Sequence, residues 1–462
     1  MRKNLFVEKI VFLAFLLGLF AFAALGQDTT DQSQNNDTEQ IRNQLMEQEL
    51  RYLKSENEKL KKELKGYRLQ ERVDEIQKDV SRIRGLPVKE TLKTKFLSRK
   101  DVADYVVREL NRQYPDDAIK HYQEFLVRLG FLPQGTDIVD LFVSLYTEQA
   151  AGFYDDLTRW FYIVEDFDLN ETVSGIILSH EICHALQDQN FGVDIEGLYQ
   201  KNNDDIAYAY LSVLEGDATI LMGEWMKENF KLASLFDLLA TLGIDQSSYE
   251  GAPYFLQQIM VFPYLQGSLF MMELMSVYGI EGRDKAFIEP PVSTEQILHP
   301  EKYHTFADLP TTVSLPKFDN LPLPGWEKRI ENTVGEMALK FLFEQYMPLS
   351  EAGGAAAGWD GDRYTLYHRD PGFFLIYWES VWDSEKDARE AADALEKVMF
   401  KCYPLLKEKK ASKGTFAAHR TEYPRGKDYL HVFIRPYRRN VYFCMSNDTL
   451  ITSSVLFPSL GE

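Results

Sequence analysis

Apolar positions along this chain recur mostly at helical spacing, and alternate with polar ones only in short patches. From Glu39 to about Arg84, Met46, Leu50, Leu53, Asn57, Leu60, Leu64 and Tyr67 fall three and four apart, with Glu and Lys between them. Val73, Ile76, Val80 and Ile83 resume the pattern after a phase break near Gly66. This is a heptad seam, and an Asn inside it favours a parallel homodimer in one register. The alternative is a long helix folded back on its own domain. Gly85-Leu86-Pro87 ends the helix.

Beyond it, the pattern predicts helix from Leu97 to about Leu129, with Ser98 as cap, and again over Ile138–Ala151. Gly152–Asp155 and Trp160–Val164 read as a hairpin turning at Asp156-Leu157-Thr158. A buried helix follows, with Asn170 as its cap and Val173, Ile176, Ile177, Leu178, Ala185 and Leu186 as its apolar surface. Ile206 to Trp225 is a second apolar helix. Helical patterns continue through Leu232–Leu242 and Phe255–Met275, broken at Pro263-Tyr264. From Pro310 the composition becomes linker-like. A helix over Val334–Tyr346, the Gly-rich loop AGGAAAG, a helix from Ser384 to about Leu406 and five strands then make a small α+β unit. The class is α+β, mostly helical.

Residues 1–26 read as a secretory signal: Arg2, Lys3 and Lys9 precede an apolar run, and Ala24-Leu25-Gly26 offers a cleavage site before Gln27. An uncleaved anchor is the alternative. Residues 27–38 are polar and expected to be a flexible leader. The domains are then a coiled-coil helix (39–84), a central domain (85–310) and a carboxy-terminal one (311–462). The mature chain is expected to be secreted or periplasmic, with no stable membrane span after cleavage. Its formal charge of −20, from 51 basic and 71 acidic residues, argues against nucleic acid as partner. Cys402 and Cys444 could pair in an oxidising compartment, whereas Cys183 reads as a small core group.

The chemistry lies in His180-Glu181-Ile182-Cys183-His184. On a helix, residues four apart differ by about 40° in rotation and roughly 6 Å in rise, so His180 and His184 can converge on one ion. Zinc takes neutral imidazole in tetrahedral sites. Glu181, on the flank of that face, could act on a water there without being a ligand. A third ligand is needed, and Glu215 is the candidate: a carboxylate amid the apolar 206–225 run requires a cation or a hydrogen-bond network. A buried Glu paired with Lys, Arg or Tyr is the bland alternative. Asp360 and Asp362 could bind a cation but are also ordinary turn residues.

A helical H-E-x-x-H followed by Glu on the next long helix resembles the gluzincin branch of the zincin metallopeptidases. More narrowly, EQAAGFYD (148–155), HEICHALQDQ (180–189), EGDAT (215–219), STEQILHPEKY (293–303) and AAAGWDGDRY (355–364) resemble a group of secreted bacterial metallopeptidase-like proteins. The resemblance implies a zincin-like domain holding one catalytic Zn2+ on His180, His184 and Glu215, with Glu181 as general base on a peptide or protein substrate. Asp188 occupies a position held by Asp in thermolysin-like helices. The Asp that orients a ligand His in that family is here Thr219, so Asp188 and Asp217 are the candidates for that supporting role. The resemblance also makes Trp160, Phe161, Tyr162, Ile163 and Val164 a substrate-docking edge. Peptide hydrolysis needs a donor for the oxyanion, and His299, Tyr303 and Tyr264 are the candidates. A dimeric envelope scaffold with a structural metal, or a pseudopeptidase that binds without cutting, remain the rival readings.

Overall fold

The computed structural model describes residues 32–114, 117–149, 151–165, 171–194, 197–198, 202–229, 247–316, 325–408, 416–420, 430–448 and 450–451. The expected signal segment, the Asn170 cap and the 232–242 helix lie outside them. The chain forms two compact units, residues 1–67 and 68–462. Neither expected boundary, at 84/85 or at 310/311, separates units.

Helix α1 (Gln32–Arg84) begins inside the stretch expected to be a flexible leader. Up to Tyr67 none of its described side chains is buried, and Met46, Leu50 and Tyr67 are largely exposed. From Leu69 on, its apolar stripe is interior: Leu69, Val73, Ile76 and Val80 are at most 1 % exposed. The change in spacing near Gly66 therefore precedes the point, at Leu69, where the apolar stripe becomes buried.

Strand β1 (Lys93–Leu97) follows, then α2 (Arg99–Gln113), α3 (Ala118–Leu129) and α4 (Ile138–Gln149). Ser98 caps α2 in a reciprocal box with Asp101. Gly130, at φ 87°, closes α3 in the left-handed region. Strands β2 (Gly152–Asp155) and β3 (Trp160–Val164) form the expected hairpin. β1 then pairs parallel to β3 on its other side, so the three-stranded order is β1-β3-β2.

Two long helices carry the candidate chemistry: α5 (Glu171–Phe191) and α6 (Asp204–Asn229). Ile176, Leu178, Ile182 and Leu186 of α5 pack with Leu69, Val73, Ile76 and Val80 of α1, Phe161 and Ile163 of β3, and Ala218, Leu221 and Trp225 of α6. Short α7 (Ser247–Gly251) leads to α8 (Tyr254–Tyr278). Pro263 does not break α8: the burial of Phe262, Phe270, Met271 and Leu274 outweighs the one main-chain bond that proline removes. Helices α6 and α8 cross at Gly216 and Gly267, where a Cβ on Gly267 would stand 2.1 Å from the Ser212 carbonyl oxygen. Three short helices follow, α9 (Gly282–Ile288), α10 (Thr294–Leu298) and α11 (Glu301–His304).

The remainder is β4 (Glu327–Asn332), α12 (Gly335–Glu344), α13 (Leu349–Ala356), β5 (Trp359–Arg369), β6 (Phe373–Trp382), α14 (Glu385–Cys402), β7 (Lys407–Glu408), β8 (Phe416–Arg420), β9 (Leu430–Tyr437) and β10 (Asn440–Ser446). The strands form one sheet in the order β4-β5-β6-β10-β9-β8-β7. The α+β, mostly helical class holds. The Gly-rich stretch expected as a loop is largely helix α13, whose Ala352, Ala355 and Ala356 are buried on one face. Asp362 accepts from the Val334 and Gly335 amides and the Trp359 indole, and Asp360 from Thr311, so both acids have protein partners. All three cysteines are free thiols, so the Cys402–Cys444 bridge is not formed. No described helix is long and apolar enough to cross a membrane.

The start of α6 is pinned by buried acids. The Asp204 amide donates to Asn332 Oδ1, and Asp205 accepts from the Thr294 amide and hydroxyl. Burial pushes the Asp204 carboxyl up to about 6 and that of Asp205 up to about 8. Folded-state values above the unfolded value of about 4 mean that the native chain holds these protons more tightly. Their stabilising contribution is complete below about pH 4 and is lost as pH rises through the two folded values. The melting temperature should therefore fall between pH 5.5 and 8.5, on the order of 5 °C, and Asp205→Asn should flatten that slope. Parallel pH–melting curves for the two proteins would count against this account.

Candidate metal centre and active site

Helix α5 aims His180 and His184 at Glu215 of α6. His180 Nε2 lies 3.2 Å from His184 Nε2 and 3.0 Å from Glu215 Oε2, and His184 Nε2 lies 3.4 Å from that same oxygen. Bonds of roughly 2.0–2.1 Å in a tetrahedron give edges of roughly 3.3–3.4 Å between ligand atoms. The three atoms thus outline one face of a tetrahedral zinc shell. A buried and a half-buried imidazole this close to a carboxylate call for positive charge. Without a cation a proton supplies it: burial opposes the charge on His184, but Glu215 outweighs burial and pushes the imidazole up to about 9. Burial likewise acts to raise Glu215, and the two imidazoles overcome it and hold the carboxyl far below the usual range. A divalent cation would meet the same demand and displace that proton.

The second nitrogen of His184 explains why the first is free to act as a ligand. His184 Nδ1 lies 2.9 Å from Gln187 Oε1. Gln187 Nε2 donates to Asp217 Oδ2 at 2.9 Å and to the Leu214 carbonyl at 3.1 Å. Both of those groups only accept, so the Gln187 amide nitrogen must face them and its oxygen must face His184. Nδ1 then keeps its hydrogen, so when a cation displaces the shared proton it is the Nε2 lone pair that faces Glu215 and His180. His180 Nδ1 is buried with no partner among the described residues.

Asp217 and Asp188 were both candidates for orienting a ligand His, and neither touches one. Asp217 acts one residue removed, through Gln187. Asp188 Oδ2 accepts from the Tyr154 hydroxyl at 2.8 Å and so ties β2 to α5. The Tyr154 amide donates to Glu181 Oε2 at 3.3 Å. Burial raises the Glu181 carboxyl, against the pull of the two imidazoles.

That amide contact identifies the open side of the small sheet. In an antiparallel pair a residue turns both main-chain groups toward its partner or both away. Tyr154 turns them away from β3, so β2 is the edge beside Glu181. Trp160, Phe161, Tyr162, Ile163 and Val164 are not an edge: β3 is the middle strand, flanked by β1 and β2.

Of the oxyanion candidates, only Tyr264 is at the site. Its ring stacks on His180 at 5.8 Å, and its hydroxyl hydrogen-bonds Glu215, whose charge, followed by burial, pushes the phenol well above its ordinary value. His299 instead contacts Glu336 Oε1 at 2.9 Å, and the Tyr303 hydroxyl donates to the Glu289 carbonyl at 2.6 Å. Tyr146 of α4, unremarked in the sequence, also senses Glu215, although burial is the larger cause of its raised value. Among the described residues two further clusters have metal-ligand composition. In His121–Glu124–His368, Arg128 already takes Glu124 at 2.7 Å. In Glu295–Asp308–Asp383, Lys302 Nζ sits at 2.6, 3.2 and 2.8 Å from the three acids.

Residues 324–431 match a domain of unknown function, DUF8575. No curated protein matches the chain. Among solved structures, the chain is similar to a "putative hydrolase with a novel fold" from Chloroflexus aurantiacus, with 16% identity and TM-score 0.37, over 52% of this chain and 90% of that one. It is also similar to the extracellular domain of PknH from Mycobacterium tuberculosis, with 9% identity and TM-score 0.23, over 32% and 88%.

Proposed function

We propose that the protein is a zinc-dependent metallopeptidase of gluzincin type that works outside the cytoplasm on a peptide or protein substrate. One observation carries this reading: two imidazole nitrogens and a carboxylate oxygen stand 3.0–3.4 Å apart, at tetrahedral-edge separation, beside a half-buried Glu181 that is not among the three.

A zinc ion held by His180, His184 and Glu215 would supply a Lewis acid that polarises a carbonyl and acidifies water. Glu181 takes the proton of the attacking water and delivers it to the leaving amine nitrogen, first as base and then as acid. Its raised carboxyl suits both halves of that exchange. Tyr264 offers a protonated phenol to the oxygen on which charge develops. The outward main chain of β2 can pair with an extended peptide, and strand addition of this kind tolerates varied side chains. Residues 39–67, with a wholly unburied seam around Asn57, are assigned to homodimerisation through a coiled coil.

Metal analysis beside a peptide-library digest tests the reading. One zinc per chain, cleavage lost to a chelator and recovered on adding zinc back, is the expected result. Glu215→Ala should weaken zinc binding at least about 100-fold. A protein with zinc at full occupancy and no cleavage of any library member would favour the scaffold instead.

A further inference from the structure

The last part of α1, from Leu69 on, belongs to the core of the second unit. Its buried stripe, Leu69, Val73, Ile76 and Val80, continues by one more turn to Arg84, which is the last residue of α1 and 3 % exposed. Gly85, at φ 79°, ends the helix there, its amide bonded to the Ser81 carbonyl at 2.9 Å. Helical spacing therefore points a guanidinium into the core beneath the metal helix. Arg84 Nε donates to Asp217 at 2.9 Å, its Nη1 meets Asp284 Oδ1 at 2.8 Å, and its plane lies 6.0 Å from the Phe287 ring. Arg283 clamps Asp217 from the other side through both the carboxylate and the main-chain carbonyl. Asp217 in turn holds Gln187, and Gln187 holds His184.

We infer that Arg84 is a positioning residue for the metal site. The end of α1, acting through Asp217 and Gln187, fixes the tautomer and aim of His184, so the amino-terminal helix is a part of the metal centre and not a detachable pro-segment. This rests on the metal-binding reading above. It goes beyond that reading by making metal affinity depend on a residue in the stretch that precedes the zincin-like region. The dependence is geometric. Arg84 must reach Asp217 and Asp284 together, which a forked guanidinium does and a lysine ammonium does not. A shift of α1 along its axis by one turn would take the fork off Asp217 and loosen one of the two acceptors, Asp217 and the Leu214 carbonyl, that set the Gln187 amide.

Zinc affinity, measured by competition with a chromophoric chelator on the whole protein, tests this together with apo-protein melting curves. Arg84→Lys and Arg84→Met should weaken zinc about tenfold, and Gln187→Met about 10–100-fold. Arg82→Met, two residues before Arg84 on the same helix, removes only the exposed pairs with Glu228 and Asp79 and should leave affinity unchanged. Combined with Gln187→Met, Arg84→Met should add less than about twofold, because both act through one route. A purely structural Arg84 would lower melting temperature yet leave zinc affinity alone, or would add its full effect to that of Gln187→Met. Either result overturns the inference. If Arg84→Met does not fold, Arg84→Lys and Asp284→Asn decide the matter, the latter expected to cost about two- to threefold in affinity. A wild-type protein that takes up no zinc sinks the metal reading itself. Normal wild-type binding with unaffected Arg84 variants sinks only the link from the helix.

Discussion

Glu181→Gln should lower kcat/KM for peptide hydrolysis by about 10³-fold while zinc content stays at one per chain. Gln has the same shape and can still accept the Tyr154 amide, which now reaches Glu181 Oε2 at 3.3 Å. The three candidate ligand atoms belong to other residues, so nothing in the substitution removes a donor from the cation. What is lost is a group that can receive a proton from water and give it up again. General acid–base assistance accounts for about 10²–10⁴ in rate, which sets the expected scale. The measurement is steady-state kinetics on a peptide the wild type cleaves, with metal analysis of the same preparations. Undiminished turnover in this variant would remove Glu181 from the chemistry, and loss of zinc would recast it as part of the metal shell.

Gly267→Ala should be the most damaging substitution away from the reacting groups. A Cβ there would stand 2.1 Å from the Ser212 carbonyl oxygen, and one on Gly216 would stand 2.3 Å from the Gly267 carbonyl carbon. Both collisions are with main chain, which no rotamer change relieves, so α6 and α8 must move apart. Overpacking of this kind costs about 3 kcal/mol, at the upper end of what cores tolerate. The separation would also reach the site, because Glu215 adjoins Gly216 and Tyr264 lies one turn before Gly267. Gly223→Ala is the matched control. It lies in the same helix α6 with no atom within 4 Å of its virtual Cβ, and should be neutral or slightly stabilising. Denaturant melts of the two variants measure the contrast, and equal stabilities would show that the helices are not in the contact described.

The elements legible in the sequence were those that local spacing specifies. The i, i+4 imidazoles and the lone carboxylate in an apolar run could be read because one helical period fixes where such side chains point. Ser98 could be read as a cap because a cap bonds its own first turn. Elements whose role depends on distant chain were not. Lys93–Leu97, with two lysines in five residues, lacks the aromatic and β-branched run that announces a strand, yet by adding to β3 it moved the free edge from 160–164 to 152–155. Gln187 stood inside the motif unremarked, since only the folded chain brings Asp217, itself held by two arginines, to its amide. Arg84 left a signal that went unused: a cation at the next position of a buried stripe implies a buried acid elsewhere. His299 illustrates the reverse error, because a histidine in a Pro-bounded segment carries no information about which carboxylate it will meet.

The three thiols bear on where this chain can mature. Cys183 and Cys444 are sealed from solvent and Cys402 contacts the Tyr346 hydroxyl at 3.2 Å, and none is bridged. No disulfide joins them, so reaching this fold requires no oxidant. A protein made in a reducing cytoplasm and one recovered from outside it should share the same stability, indifferent to added dithiothreitol.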